Sequence, residues 1–225
     1  MKQKLIFPFI LQNLLWIPGM FLLIVFGRLS IKGRNNLRGL KGPLIFTSNH
    51  TSELDGILIL STLGLFSKYI PLVFVSREPT FYTPTLFKRI LFLGNGGVFR
   101  ALGAFPAIAG LRDYEKSLES HINFLKNSHR ICIFPEGKIV HGGVMSNAKG
   151  GIGYLIHATN ATVVPFKIDG AMELNWFSFF MMRHHISIKI LPPVPASEFM
   201  LSSNTIGPEQ CKETAKKILM MLYNA

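Results

Sequence analysis

The sequence predicts an α/β fold, with a largely parallel central sheet flanked by helices and an N-terminal apolar helical segment that anchors the chain to a membrane. Short apolar runs alternate with segments of helical spacing along most of the chain. This is the pattern of buried parallel strands joined by helices. The first 28 residues contain an uncharged apolar stretch flanked by basic residues, which predicts the anchor.

Length and composition predict one domain that meets a bilayer. The chain has 225 residues, of which 48% are hydrophobic and 16% are charged. It is long enough to bury one sizeable core, more apolar than an ordinary soluble domain, and too polar for a multi-span transporter. We therefore predict an anchor over residues 1–28 and an α/β domain over residues 29–225.

The net charge of +12 indicates an anionic partner, either a nucleic acid or a membrane surface. No helix-turn-helix, zinc-finger or aromatic RNA-binding signature is present, so we predict no nucleic-acid partner. Basic residues instead lie on both sides of the apolar stretch, which favours the lipid bilayer as partner. These residues are Lys2, Lys4, Arg28, Lys32, Arg34, Arg38 and Lys41.

The apolar stretch runs from Leu5 to Gly27 without a charge. As one helix it would be roughly 33 Å long, enough to cross a bilayer. Pro18 and Gly19 disfavour a straight helix, which leaves two short helices lying in one leaflet as the alternative. If the segment spans, the larger positive charge after it predicts a membrane localisation with the following domain facing the cytoplasm.

After the anchor, strand and helix patterns alternate. Leu44–Ser48 is a short apolar run that follows the Gly42-Pro43 turn signal, which predicts a strand. Leu54–Leu63 has helical apolar spacing, and Ile70–Val75 is rich in β-branched residues and predicts a second strand. Pro84–Leu93 is apolar and basic, and predicts a helix.

The second half of the chain continues the alternation. Its helices are predicted from apolar residues three and four positions apart, and its strands from short runs rich in Ile and Val. In chain order they are helix Tyr114–Lys126, strand Arg130–Phe134, helix Ala148–Ala158, strand Thr162–Phe166, strand Ile186–Leu191 and helix Pro208–Tyr223.

The segment from Phe81 to Phe105 mixes aromatic and basic residues around a glycine-rich break. One interpretation is a core helix followed by a loop. The other is a basic, aromatic surface that enters the lipid headgroup region. The sequence does not separate the two.

A candidate catalytic pair lies between the first predicted strand of the domain and the helix that follows it. Histidine has the ordinary pKa nearest neutrality, so His50 can accept a proton from an alcohol. Asp55 comes five residues later, and a chain turning into a helix brings its carboxylate back to the imidazole. Such a pair is a serine-protease triad without its serine, in which the substrate hydroxyl is the nucleophile. Taken alone, the His-x4-Asp spacing is common by chance and favours Asp55 as a helix-terminal charge.

A second motif, Phe134-Pro135-Glu136-Gly137, follows the strand predicted at Arg130–Phe134. The Pro-Glu-Gly sequence is typical of a tight loop that presents backbone donors and one carboxylate. Reactive groups in α/β folds collect on loops at the carboxyl ends of strands, so we expect this loop to lie near His50.

With these motifs the chain resembles the lysophosphatidate (1-acylglycerol-3-phosphate) acyltransferase family from about residue 31 to about residue 191. The first family block, Asn-His-x4-Asp, matches Asn49, His50 and Asp55, and the third matches residues 134–137. Gly103-Ala104-Phe105-Pro106 matches the start of the second block, and Val164-Pro165-Phe166 matches the fourth.

The resemblance implies an O-acyltransferase with an acyl-CoA or acyl-carrier-protein donor, a lysolipid acceptor, and no metal or cofactor. It implies that His50 and Asp55 are catalytic. It also implies a set of substrate-binding residues, namely Asn49, Glu136, Gly137, Lys138 and Arg112.

Two family positions differ here. The second block carries Ala107-Ile108-Ala109 where an arginine is usual, so Arg112 is the nearest arginine. The third block reads Gly137-Lys138-Ile139 instead of Gly-Thr-Arg. Lysine binds phosphate as a point charge, whereas arginine binds it in a bidentate manner. The acceptor is therefore either 1-acylglycerol-3-phosphate-like or a lyso-lipid without that phosphate.

The alternative function is a non-catalytic, membrane-associated lipid-binding protein that retains the fold. The presence of both His50 and Asp55 favours the enzyme, because a binding protein needs no base. We interpret Cys132 and Cys211 as reduced structural thiols, and His121 and His129 as surface residues.

Overall fold

The computed structural model describes residues 3–78, 100–108, 111, 113–142, 147–172, 174, 176–199 and 206–225. Its strands are β1 (Ser30–Lys32), β2 (Leu44–Ser48), β3 (Leu72–Ser76), β4 (Ala104–Pro106), β5 (Arg130–Ile133), β6 (Thr162–Asp169) and β7 (Ser187–Ile190). Its helices are α1 (Gln3–Val25), α2 (Asp55–Leu63), α3 (Tyr114–Lys126), α4 (Gly151–Thr159), α5 (Trp176–Phe180) and α6 (Pro208–Tyr223). The predicted helix Pro84–Leu93 and residues 81–99 of the aromatic segment lie outside the described residues.

The strands form one sheet in the order β1-β7-β6-β2-β5-β3-β4. Every neighbouring pair is parallel except β6 and β7, which are antiparallel. Strand β2 is fully buried and lies between β5 and β6. The predicted fold class, a largely parallel sheet flanked by helices, is therefore confirmed.

Helices cover both faces of the sheet. Alternate strand residues such as Ile45 and Ile131 pack on the side of α3, α4 and α6. Their neighbours Phe46 and Cys132 pack on the side of α1, α2 and α5. This two-sided burial explains why the central strands read as continuous apolar runs.

Three elements are absent from the prediction. β1 and β4 have three residues each and carry too few side chains for a period to show. Helix α5 has five residues, and its aromatic sequence has no helical spacing of its own. Short edge elements of this kind are fixed by the neighbouring strand rather than by their own sequence.

Helix α1 is continuous through Pro18 and Gly19, so the break considered from the sequence does not occur. Its midpoint docks on the domain through two buried amides. Gln12 donates from Nε2 to the carbonyl oxygens of Leu72 and Leu102, both at 2.8 Å, and accepts from Leu72 N–H at 2.9 Å. Asn13 Oδ1 accepts from Phe66 N–H at 2.7 Å. Leu5–Val25 is long and apolar enough to cross a membrane, and 22% of its most apolar window is buried in the domain.

The burial of one side chain differs from the prediction. His121 is fully buried under β4 instead of exposed, and its Nε2–H donates to Phe105 O at 3.1 Å. Burial lowers the pKa of His121 to about 4, so this imidazole is neutral at physiological pH. The prediction was wrong because His121 lies on the apolar stripe of α3, next to Leu118, Ile122 and Leu125. Cys132 and Cys211 are free and buried, as predicted.

Candidate active site

The loop between β2 and α2 brings His50 and Asp55 together. His50 Nδ1 lies 2.9 Å from Asp55 Oδ2. The imidazole is 20% exposed, whereas the carboxylate is fully buried. Asp55 is the first residue of α2, so the turn that starts the helix also aims the carboxylate back at the imidazole, as the spacing predicts.

Four donors converge on the Asp55 carboxylate. Besides the imidazole, Oδ2 accepts from the N–H groups of Thr51 at 2.6 Å and Ser52 at 2.9 Å. Oδ1 accepts from Ser52 Oγ at 2.6 Å. Charge-assisted bonds of this kind offset the cost of burying the ionised carboxylate. Because that carboxylate can only accept, His50 carries its proton on Nδ1, and Nε2 is left as an acceptor at the open side.

The imidazole is also held by its surroundings. Its ring stacks on Phe134 with centroids 4.1 Å apart and planes 14° from parallel. The carbonyl oxygen of His50 accepts from Val140 N–H at 2.8 Å. Both contacts come from the segment after β5, which pairs with β2, so the two motifs meet at one edge of the sheet.

Glu136 lies inside this arrangement rather than at its surface. Its carboxylate is buried, and Oε2 accepts from His50 N–H at 2.7 Å. Oε1 accepts from Tyr223 O–H at 2.8 Å, which comes from the last turn of α6. Burial raises the pKa of Glu136, whereas the donors Tyr223 and His50 hold it down. Through these two hydrogen bonds, Glu136 connects the last turn of α6 to the loop that carries His50.

Gly137 adopts a left-handed conformation with φ of 64°, which favours glycine. Its carbonyl oxygen accepts from Arg77 through Nε at 3.0 Å and Nη2 at 2.6 Å. Lys138 follows as an exposed side chain. The sequence reasoning missed Arg77. Its position directly after β3, at the edge where β2 and β5 also end, is the signal that could have found it.

Asn49 ties the loop to β6. Its Nδ2 donates to Ile168 O at 2.8 Å, and its Oδ1 accepts from Ile168 N–H at 2.9 Å. The side chain thereby continues the pairing of β2 with β6, which ends at Ser48 and Phe166. The structure thus places Asn49 as a buried tie directly before His50, and Arg112 lies outside the described residues.

Among the described residues, no group of three or more His, Cys, Asp or Glu side chains is arranged to hold a metal ion. The site brings together the His50 imidazole, its buried carboxylate partner, a second buried carboxylate below the loop, and two cations at the rim. Such a set can remove a proton from a hydroxyl and can hold an anionic group nearby.

Comparison with known proteins gives a family match and two curated relatives. The family model described as Acyltransferase matches residues 28–169. A probable 1-acyl-sn-glycerol-3-phosphate acyltransferase of Mycoplasma pneumoniae is 25% identical over 132 residues, covering 59% of this chain and 46% of that protein. A chloroplastic 1-acyl-sn-glycerol-3-phosphate acyltransferase of Arabidopsis thaliana is 25% identical over 167 residues, covering 74% of this chain and 43% of that protein. The chain thus spans less than half the length of these relatives.

A solved structure has the same fold. The 1-acyl-sn-glycerophosphate acyltransferase of Thermotoga maritima superposes with a TM-score of 0.58 at 19% identity. The match covers 87% of this chain and 70% of that chain. At this identity the likeness extends to the fold alone.

Proposed function

Because this chain belongs to the acyltransferase family that includes the lysophosphatidate acyltransferases, we propose that it transfers a fatty acyl group from a thioester to a lysolipid hydroxyl in phospholipid biosynthesis. The single observation that carries this proposal is the 2.9 Å contact between His50 and a fully buried Asp55, with Nε2 toward the open side. A lipid-binding protein needs no oriented base.

The proposed reaction is a direct transfer in which all bonds balance. His50 Nε2 removes the proton of the acceptor hydroxyl, and the oxygen attacks the thioester carbonyl carbon. The C–S bond breaks, and the thiolate takes the proton back from the imidazolium, so an ester and a free thiol leave. Asp55 holds the imidazole in the required tautomer and stabilises its charged form. Backbone N–H groups of Lys138 and Ile139 are the candidates for holding the oxyanion, since Gly137 N–H already donates to Phe134 O.

The donor is acyl-CoA or acyl-carrier protein. Both present the same thioester to His50 through the same kind of pantetheine arm, so nothing at the catalytic pair separates them. Parallel assays of the purified protein with one long-chain acyl group on each carrier decide the donor. No turnover with either carrier would remove acyl transfer and leave the lipid-binding alternative.

For the acceptor we propose a lysolipid with a phosphate group next to the reacting glycerol, as the names of the curated relatives suggest. Arg77 and Lys138 lie at the rim of the same loop and supply the cations that the second and third family blocks lack. The alternative is a lyso-lipid without this phosphate. A screen in detergent that compares lysophosphatidate with monoacylglycerol and an aminoacyl lyso-lipid, each with one donor, separates the two.

Replacing Arg77 with glutamine is expected to raise KM for lysophosphatidate about tenfold, the effect of losing one charged hydrogen bond. Turnover with monoacylglycerol is expected to stay near that of the unchanged protein. If Arg77 only held the Gly137 loop in its conformation, the kinetics with both acceptors would worsen by the same factor. Lys138→Gln is the matched control for the loss of a rim charge, and should raise the same KM by less, because lysine binds as a point charge.

We propose that residues 1–28 attach the domain formed by residues 29–225 to the cytoplasmic leaflet without crossing the bilayer. The docking of Gln12 and Asn13 supports this, since a domain fixed to the middle of a spanning helix would lie in hydrocarbon. The exposed face of α1 is apolar, and anionic cytoplasmic lipids attract a net charge of +12. Protease protection of tags at residue 1 and residue 225 tests it. Both tags on the same side agrees with the proposal, and opposite sides contradicts it.

The Tyr223 hydroxyl is expected to matter although it touches no substrate. Tyr223→Phe removes one donor to Glu136 but keeps the ring that lies 4.8 Å from Lys167 Nζ. Without this donor the pKa of Glu136 rises further, so the acid side of the kcat profile is expected to move to higher pH. We expect kcat to fall about tenfold, with KM little changed.

Tyr154→Phe is the control for losing a tyrosine hydroxyl, because the Tyr154 ring stacks on Tyr114 of α3. It should leave both kcat and the pH profile unchanged. A Tyr223→Phe protein with the original pH profile would show that α6 supports the fold but does not affect catalysis through the pKa of Glu136.

A further inference from the structure

The exposed apolar side chains of the described residues are concentrated on one side of the domain. Helix α1 exposes Ile6, Phe7, Ile10, Leu14, Ile17, Phe21 and Ile24, and α2 and its following turn expose Ile57, Leu65 and Phe66. The short helix α5 and the residues after it add Phe177, Phe180, Met181 and Met182. Contiguous exposed apolar surface of this extent marks an interaction site.

The exposed surface of helix α5 adjoins that of the end of α1. The Phe26 ring, one residue beyond α1, packs edge to face on Phe180 with centroids 5.1 Å apart. Gly27 follows, where an added Cβ would lie only 3.0 Å from Ile186 Cδ1 and 3.3 Å from Phe179 Cε2. Gly27 O accepts from Ile186 N–H at 2.9 Å. The two elements therefore form one surface.

Helix α5, which carries these exposed side chains, is held in place by a buried ring and by hydrogen bonds. Phe179 is buried in the same core cluster as Leu23 of α1. Ser178 Oγ lies 2.7 Å from His184 Nε2, and His184 Nδ1 lies 3.2 Å from Gly170 O at the end of β6. The exposure of Phe177 (67%), Met181 (55%) and Met182 (46%) is therefore a property of the folded chain.

Basic residues border these side chains. The Arg183 guanidinium lies over the Phe177 ring, 5.6 Å from its centroid. Arg28 and His185 are exposed next to the Gly27–Ile186 backbone bond, and residues 176–186 contain no carboxylate. Aromatic and apolar side chains bordered by arginine are typical of the interface between headgroups and acyl chains of anionic lipids.

We propose that Phe177, Met181 and Met182 enter an anionic phospholipid leaflet at the level where headgroups meet acyl chains, as a second membrane contact beside α1. The proposal rests on the proposed function, because it explains how a lysolipid reaches the base. Asp169 at the end of β6 pairs with Ser187, and Ile168 holds Asn49 next to His50. Helix α5 thus lies at the same sheet edge as the catalytic loop, and its insertion sets that edge against the leaflet.

Fluorescence quenching in the full chain tests the contact. Trp16→Phe and Trp176→Phe remove both native tryptophans, and Phe177→Trp places a probe on the proposed surface. On phosphatidylglycerol-containing vesicles we expect a blue shift and quenching, strongest with lipids brominated near the headgroup end of the chain. The matched control is Met221→Trp in the same background, on α6 across the sheet, where the exposure of the replaced side chain is 40%. Its emission should not change.

Activity gives an independent readout. Phe177→Ser with Met181→Ser is expected to lower turnover of long-chain lysolipid in anionic vesicles, with turnover of a monomeric short-chain lysolipid retained. Met220→Ser with Met221→Ser, each 40% exposed on α6, is the control that should change neither.

The outcomes separate the two proposals. An unquenched probe at position 177 in a protein that transfers acyl groups overturns the second contact and leaves the proposed function intact. A quenched probe in a protein with no acyl transfer supports the contact and overturns the proposed function. Equal quenching on neutral and anionic vesicles overturns the part of the proposal that concerns lipid charge.

Discussion

Replacing His50 with alanine is expected to abolish acyl transfer, lowering kcat by about 10²- to 10⁴-fold, the contribution of a positioned general base. The imidazole is the one group of the described site that can take a proton from a hydroxyl and return it to a thiolate at neutral pH. Its Nδ1 is held by Asp55 at 2.9 Å, and its ring stacks on Phe134, so the imidazole is fixed in place. The measurement is single-turnover transfer of a labelled acyl group to lysolipid.

His141→Ala is the matched control, because His141 is an exposed histidine in the segment after the Pro-Glu-Gly loop. It should retain full activity. The thermal midpoint of each variant must lie near that of the unchanged protein, because His50 is only partly buried and its removal leaves the backbone bonds to Glu136 and Val140 in place. A His50→Ala protein with near-normal turnover would show that the base lies elsewhere.

The elements predicted residue for residue are those with strong local signals. Helix α3 begins after Asp113, whose side chain accepts from the N–H groups of Glu115 and Lys116. Helix α6 begins at Pro208, which is favoured in the first turn of a helix. Strand β2 is a short apolar run bounded by Pro43 and by the polar loop, and its bounds are also as predicted. The His50–Asp55 contact follows from local spacing in the same way.

The rest depends on contacts between residues far apart in the chain. The sequence treats Gln12 and Asn13 as polar interruptions of an apolar stretch, whereas their amides bond to residues more than 50 positions away. Tyr223 is 87 positions from Glu136, and no local pattern indicates that α6 closes the site from below. Such pairs become visible only when the sheet order places β5 next to β2.

These distant contacts also change the interpretation of the motif residues. Sequence resemblance assigns Asn49 and Glu136 to substrate binding, but both side chains are buried and bonded to backbone groups of the loop and sheet. Arg77 and Lys138, by contrast, are exposed at the rim. We therefore expect Asn49 and Glu136 to position His50, and the two cations to meet the acceptor.

Asp55→Asn is expected to cost nearly as much activity as loss of the base, about 10²- to 10⁴-fold in kcat, although the two side chains have the same shape. The carboxylate only accepts, and it fixes the proton of His50 on Nδ1. The asparagine amide oxygen can take the place of Oδ2 and accept from Thr51, Ser52 and His50 Nδ1, but it carries no negative charge to stabilise the imidazolium. With the amide NH₂ in that place instead, the bond to Nδ1 reverses, and Nε2 carries the proton and can no longer receive one. The variant also loses charge-assisted bonds from Thr51 and Ser52, at a cost of about 1.5–3 kcal/mol in the free energy of unfolding.

Ser52→Ala separates the tautomer effect from loss of stability. It removes the bond from Ser52 Oγ to Asp55 Oδ1 at 2.6 Å but leaves Oδ2, and with it the imidazole, in place. We expect a lower thermal midpoint with kcat within a few-fold of the unchanged protein, at about 1.5–3 kcal/mol for one hydrogen bond to a charged group. If Asp55→Asn and Ser52→Ala lost activity in proportion to their lost stability, Asp55 would be no more than a helix-terminal charge. Only a carboxylate that stabilises the imidazolium or sets the proton position makes the asparagine variant folded yet inactive.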